Sequence, residues 1–374
     1  MRGLLAWSLA VLIAAGCEGG DVDETTASAT TANVATTASG SGAQGSGGAS
    51  STTASSGGAG GGAGGGALTV AECYADDFVN PLLDGPDYDQ FSPIVGSHCM
   101  GTNHQNITGV ERVVFLGDSV TVGTPPTQSG AFYRSKLADG LANTFGLDAP
   151  SFLWESIDPF NGTSIIAESG DFASCAKWGA RTDDLAPSQL PDCFPAESLN
   201  KRTLVIMTMG GNDISSLTQD SIDGATEQQL WDSTHAFVEL MRDAVEWLVE
   251  PGRFPNGVFV VFGNMYEFTD GTGEVQSCDV SALAGFDEPV PSPEQLADMV
   301  IWANEEYVKI AVDTGTDVIF MLEDFCGHGF NNDDPTSPCY RGPGTDRWFD
   351  LTCIHPNPTG HQHITDMFMA VVNE

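Results

Sequence analysis

Four short stretches of the chain are apolar at every position: Val113-Val114-Phe115-Leu116, Leu204-Val205-Ile206-Met207, Val258-Phe259-Val260-Val261-Phe262 and Val318-Ile319-Phe320-Met321-Leu322. A strand with one wet face alternates apolar and polar residues. Unbroken runs of four or five fit strands buried on both faces of a parallel sheet. Between them the spacing turns helical. Leu230, Phe237, Val238, Met241, Val245 and Leu248 recur mostly three or four residues apart. Leu296, Met299, Val300, Tyr307 and Ile310 do much the same after Ser292-Pro293-Glu294-Gln295. There Ser292 suits a cap, Pro293 the first helical position and Gln295 the far side of a capping box. A last helix is expected after Asn357-Pro358, running through His363, Met367 and Val371. Strands alternating with helices predict an α/β fold with right-handed crossovers, and ligands in such sheets sit at the carboxyl ends of the strands.

The N-terminus follows a different pattern. Arg2 precedes an apolar stretch from Leu4 to Ile13, then Ala14-Ala15-Gly16-Cys17. The stretch is short of the roughly 20 residues a spanning helix needs, so it reads as an export signal. Small residues leading into a cysteine resemble the lipobox of bacterial lipoproteins. That implies cleavage before Cys17 and its lipidation and, if the source is Gram-negative, Glu18 resembles the default sorting to the outer membrane. An ordinary secretory signal with an incidental cysteine is the alternative. Residues 18–67 are nearly all Gly, Ser, Thr and Ala and hold nothing to bury, which reads as a disordered tether with a reach of about 40 Å. Of 374 residues, then, 1–17 read as signal and lipidated cysteine, 18–67 as tether, and 68–374 as one globular body.

Charge narrows the partners. With 13 Lys+Arg against 51 Asp+Glu the formal net charge is −38. Such a polyanion is not drawn to nucleic acid or to anionic lipid surfaces. At 41% hydrophobic residues the body can still build a sizeable core. Eight cysteines remain besides Cys17, an even number that in an exported chain reads as four disulfides. Near neighbours are expected to pair, Cys175 with Cys193 and Cys339 with Cys353. No cysteine or histidine spacing suits zinc, and no metal or organic cofactor is expected.

The candidate chemistry lies where the pattern directs attention. Gly117-Asp118-Ser119 follows the first run directly, Gly210-Gly211-Asn212-Asp213 follows the second, and His355-Pro356 precedes the last helix. Serine, histidine and an amide donor are the nucleophile, base and oxyanion stabiliser that acyl transfer needs. In this order, over roughly residues 110–372, they resemble the SGNH (GDSL) hydrolase superfamily. Gly179, in Trp178-Gly179-Ala180, is the best match for the family's second block. The resemblance implies a three-layer α/β/α, flavodoxin-like fold with a central, mostly parallel sheet. It implies Ser119 as nucleophile and His355 as base. The oxyanion donors would be the backbone N–H groups of Ser119 and Gly179 and the side chain of Asn212.

One block departs from the family, which usually has an aspartate three residues before the histidine. Here that residue is Thr352. Either Asp350 reaches His355 through a rearranged loop, or the backbone carbonyl of Thr352 orients the ring. That departure and the cysteine richness look more like secreted, lipase-type members than cytosolic thioesterases. Other features read blandly. Asp118 and Asp213 are expected to support loops, and Asn331-Asn332-Asp333-Asp334 to form an acidic turn rather than a calcium site. His361 and His363 should face different sides of one helix. Phe152, Trp154 and Phe160 read as core, with an acyl pocket as the alternative, and residues 264–291 are a candidate for shaping access. The expectation is a monomeric, lipid-anchored serine esterase at the cell surface or outer membrane, acting on lipid or short-chain acyl esters. A polysaccharide O-deacetylase and a non-catalytic binding module are the competing readings.

Overall fold

The computed structural model describes residues 68–80 and 85–374. The export signal with Cys17 and the 18–67 tether lie outside the described residues. Among the described residues eight strands follow one another: β1 (Arg112–Gly117), β2 (Ile157–Asp158), β3 (Thr163–Ser164), β4 (Glu168–Ser169), β5 (Phe172–Ser174), β6 (Thr203–Thr208), β7 (Val258–Gly263) and β8 (Asp317–Ile319). β2 and β3 form a small hairpin, and the other six make one sheet in the order β4-β5-β1-β6-β7-β8. Every pairing in it is parallel except β4 with β5. The chain leaves β1 first toward β5 and then returns past it to β6, so a topological switch point lies at the carboxyl end of β1.

The unbroken apolar runs are explained by burial on two sides. Val114, Leu116, Val205, Met207, Val260 and Phe262 pack with the helices Glu227–Val249 and Pro293–Thr314. The intervening Val113, Phe115, Leu204, Ile206 and Val261 pack with Tyr133–Phe145 and Pro358–Asn373. This gives three layers, α/β/α.

Several local expectations need correction. The fourth run is not one strand: β8 stops at Ile319, and Met321–Phe325 is a short helix. Its partner β7 ends at Gly263, opposite Ile319, so later residues have no ladder to join; the Leu322 N–H goes instead to the Asn264 side chain at 3.0 Å. Ser292 precedes its helix as expected but makes no cap bond, and Gln295 reaches across to Glu227 at 3.3 Å. A capping box forms at Thr226 and Gln229 instead.

Four disulfides are present among the described residues: Cys73–Cys99, Cys175–Cys193, Cys278–Cys353 and Cys326–Cys339. The pairing of Cys175 with Cys193 is as expected; that of Cys339 with Cys353 is not. Cys326 lies 13 residues before Cys339, about as near as Cys353 lies after it, so sequence distance does not decide. The fold decides: Arg341 donates to the Cys326 carbonyl at 2.6 Å and folds the Cys339 loop back onto that segment. Cys353 faces the long 264–291 connection.

That connection is pinned from within. Asp270, at φ 55°, accepts the N–H groups of Gly327, Gly329 and Asn331 at 2.7–2.9 Å. The acidic turn is spent on similar local bonds, Asp334 taking the Thr336 N–H and hydroxyl. Among the described residues no group of three His, Cys, Asp or Glu is placed to hold a metal ion.

Candidate active site

β1 ends in a turn that only glycine permits. Gly117 has φ 138°, and a Cβ there would collide with the Thr208 carbonyl of the adjacent strand. Gln189 clasps this residue by both its N–H (2.8 Å) and its C=O (2.9 Å). Asp118 caps the helical turn Ser119–Val122, accepting the Val120 N–H at 2.9 Å. Ser119 is therefore first in a helical turn at the switch point, 9% exposed, and its own N–H has no carbonyl one turn back to bond.

Two loops are stitched beside it. Lys177 N–H bonds the Gly117 carbonyl at 3.1 Å and brings the loop after β5 to the end of β1. Gly179 follows at φ 72°, with nothing within 4 Å of where its side chain would stand. The Asn212 amide donates to the Ala180 carbonyl at 2.9 Å, which leaves its second hydrogen for another acceptor. Asp213 takes the Thr182 N–H (3.2 Å) and hydroxyl (3.0 Å), locking the segment after β5 to the first turn of the helix Gly211–Ile222 that follows β6. Ser119, Gly179 and Asn212 thus share one sheet edge. Burial pushes Asp118 up to about 7 and Asp213 up to about 6, and their mutual repulsion adds to the rise of Asp118. Both carboxyls accept backbone N–H groups of neighbouring turns, the supporting position expected for them.

His355 Nε2 lies 2.8 Å from Ser119 Oγ. On its other side the ring meets neither of the two groups expected. Nδ1 is 2.7 Å from the Thr352 hydroxyl, and that hydroxyl is 2.6 Å from Asp350 Oδ1. The Thr352 carbonyl is not the partner of the ring, and Asp350 touches it only through Thr352. The loop geometry is the reason. Asp350 N–H bonds the His355 carbonyl at 2.9 Å, and Asp350 Oδ1 folds back to take the Thr352 N–H at 2.7 Å. Cys353, at φ 73°, is tied to Cys278, and the half-buried Tyr266 donates its hydroxyl to the Ile354 carbonyl at 2.9 Å. The 264–291 connection therefore holds the histidine loop from beneath. Gln189, Tyr266 and the Thr352 hydroxyl had no signal in the sequence.

A serine hydroxyl against a neutral imidazole, beside free N–H donors, has the geometry of a nucleophile–base pair with an oxyanion site. Burial lowers His355 from 6.5 to about 4. A base must be neutral, so activity should persist above the folded-state value and vanish as pH falls through it. The acid limb of kcat/KM is accordingly expected near pH 4, and a pH–rate profile checks this.

Of the aromatic residues read as core, only Trp154 is buried, edge-on to Phe115 and Phe172. Phe160, at the tip of the β2–β3 hairpin, is 95% exposed. The hairpin is tied to the site, because Trp178, next to Gly179, donates its N–H to the Gly162 carbonyl at 2.7 Å. Leu351, beside Thr352, is 73% exposed. His361 and His363 diverge: the first is buried and accepts the Tyr133 N–H at 3.2 Å, while the second stacks on Trp348.

The model of the family described as "GDSL-like Lipase/Acylhydrolase family" matches residues 115–363. No curated protein matches the sequence. Among solved structures, an extracellular lipase from Streptomyces rimosus is 19% identical, with 71% of this chain and 99% of that one covered and a TM-score of 0.39. A lipase from a goat rumen metagenome is 15% identical, covering 70% and 96% at a TM-score of 0.45. A carbohydrate acetylesterase from Sinorhizobium meliloti is 12% identical, covering 70% and 98% at 0.37.

Proposed function

The chain belongs to the GDSL-like lipase/acylhydrolase family, and from that premise we propose that it is a serine esterase working through an acyl-serine intermediate. The observation that carries this reading is the 2.8 Å contact between Ser119 Oγ and His355 Nε2. In the proposed mechanism His355 takes the Ser119 proton as the hydroxyl attacks the ester carbonyl. It then returns that proton to the leaving alcohol, and water completes the cycle by the same route. The developing oxyanion would accept from the N–H groups of Ser119 and Gly179 and from the free amide hydrogen of Asn212.

For the substrate we infer an ester with an apolar acyl chain. Support comes from Phe160 and Leu351, large apolar side chains exposed on segments tied to Gly179 and His355. Four disulfides fit folding in an oxidising compartment, and among the described residues no helix is long and apolar enough to cross a membrane. Lipidation at Cys17, with residues 18–67 as a tether, is the proposed mode of attachment. The test is hydrolysis of p-nitrophenyl acetate, butyrate and palmitate by the full chain. Rising kcat/KM from acetate to the longer chains is expected. Turnover of acetate alone would favour the O-deacetylase reading, and none on any ester would overturn the function.

A further inference from the structure

We propose that the Thr352 hydroxyl is a positioning residue that relays Asp350 to His355 and fixes the reactive tautomer of the ring; this rests on the esterase reading above. An ionised carboxylate can only accept hydrogen bonds. Two donors converge on Asp350 Oδ1, the Thr352 N–H at 2.7 Å and the Thr352 hydroxyl at 2.6 Å. The hydroxyl has one hydrogen, and Asp350 holds it. Toward His355 Nδ1, 2.7 Å away, the same oxygen can then only accept. The ring proton is thereby held on Nδ1, and the Nε2 lone pair faces the Ser119 hydroxyl at 2.8 Å. During attack one proton moves, from Ser119 Oγ to Nε2; Nδ1 and Thr352 keep theirs. Asp350 is itself buried.

This arrangement answers to substitution differently from a direct aspartate–histidine pair. In a direct pair an Asn amide selects the wrong tautomer and costs about 10⁴-fold in kcat. Here the two Thr352 donors would keep the carbonyl oxygen of an Asn at the Oδ1 position. Asp350→Asn should therefore preserve the tautomer and cost less than about tenfold. Thr352→Val keeps the shape but removes the acceptor from Nδ1, so kcat should fall about 10- to 100-fold with little change in KM. Thr352→Ser restores a hydroxyl and should recover most of that loss.

The experiment pairs these kinetics with the ¹⁵N spectrum of His355 in the full chain, which reads the tautomer without any substrate. The relay predicts Nδ1–H in the parent protein and in Asp350→Asn, and a tautomer mixture in Thr352→Val. An Nε2–H ring in the parent protein would overturn it. So would unchanged kcat in Thr352→Val, or an Asp350→Asn loss larger than that of Thr352→Val. Absent esterase activity in the parent protein would sink the esterase reading while the spectrum still judged the relay.

Discussion

Ser119→Ala is expected to lower ester turnover by about 10⁶-fold, to the level left by binding and oxyanion donors alone. The size follows from what remains. His355 would keep its orientation, and the N–H groups of residue 119 and Gly179 would still face the carbonyl, but no oxygen would stand 2.8 Å from Nε2 to form the acyl intermediate. Folding should survive, because the substitution removes one oxygen from the first position of the Ser119–Val122 turn and leaves the Asp118 cap in place. Steady-state turnover of p-nitrophenyl butyrate, beside thermal unfolding of both proteins, checks the result. An inactive protein with an unchanged Tm is the expected pair of outcomes.

Asn212→Ala should lower kcat by about 10²- to 10³-fold and leave KM nearly unchanged. Its amide is held by one hydrogen on the Ala180 carbonyl, so the other is pre-aimed rather than recruited. A donor of this kind gains strength only as charge grows on the substrate oxygen, which is why the loss should appear in kcat. Some local loosening is expected as well, since the Ala180 carbonyl loses its partner. The Asp213 bonds to Thr182 still hold the two loops together, and they limit the change in stability to about 1–2 kcal/mol. Michaelis–Menten analysis separates the two parameters.

How much of this was legible in the chain differs by element. β1, β6 and β7 announced themselves because their middle residues are buried on both faces and form unbroken apolar runs. β5 did not, since Phe172–Ser174 is three residues long and is held by its neighbours more than by its pattern. The Tyr133–Phe145 helix was hidden by Arg134, a fully buried cation at a core position. Its guanidinium donates to the Trp154 carbonyl and the Ser164 hydroxyl, both at 2.6 Å, and lies over the Trp154 ring. Polar residues satisfied inside a core blur the helical period. The short motifs around Ser119, Asn212 and His355 stood out because each falls at a strand end or before a helix. The role of the Thr352 hydroxyl could not be read in the same way. It depends on a turn shaped by Cys278 and Tyr266, which only the fold brings beneath His355.

Acylation of Ser119 is tested by covalent trapping. The full chain is treated with a fluorophosphonate, its residual esterase activity is followed, and the modified peptide is located by mass spectrometry. One adduct per chain is expected, on Ser119, with activity lost in proportion and no adduct in Ser119→Ala. Labelling at another residue with loss of activity, or undiminished turnover in Ser119→Ala, would contradict it.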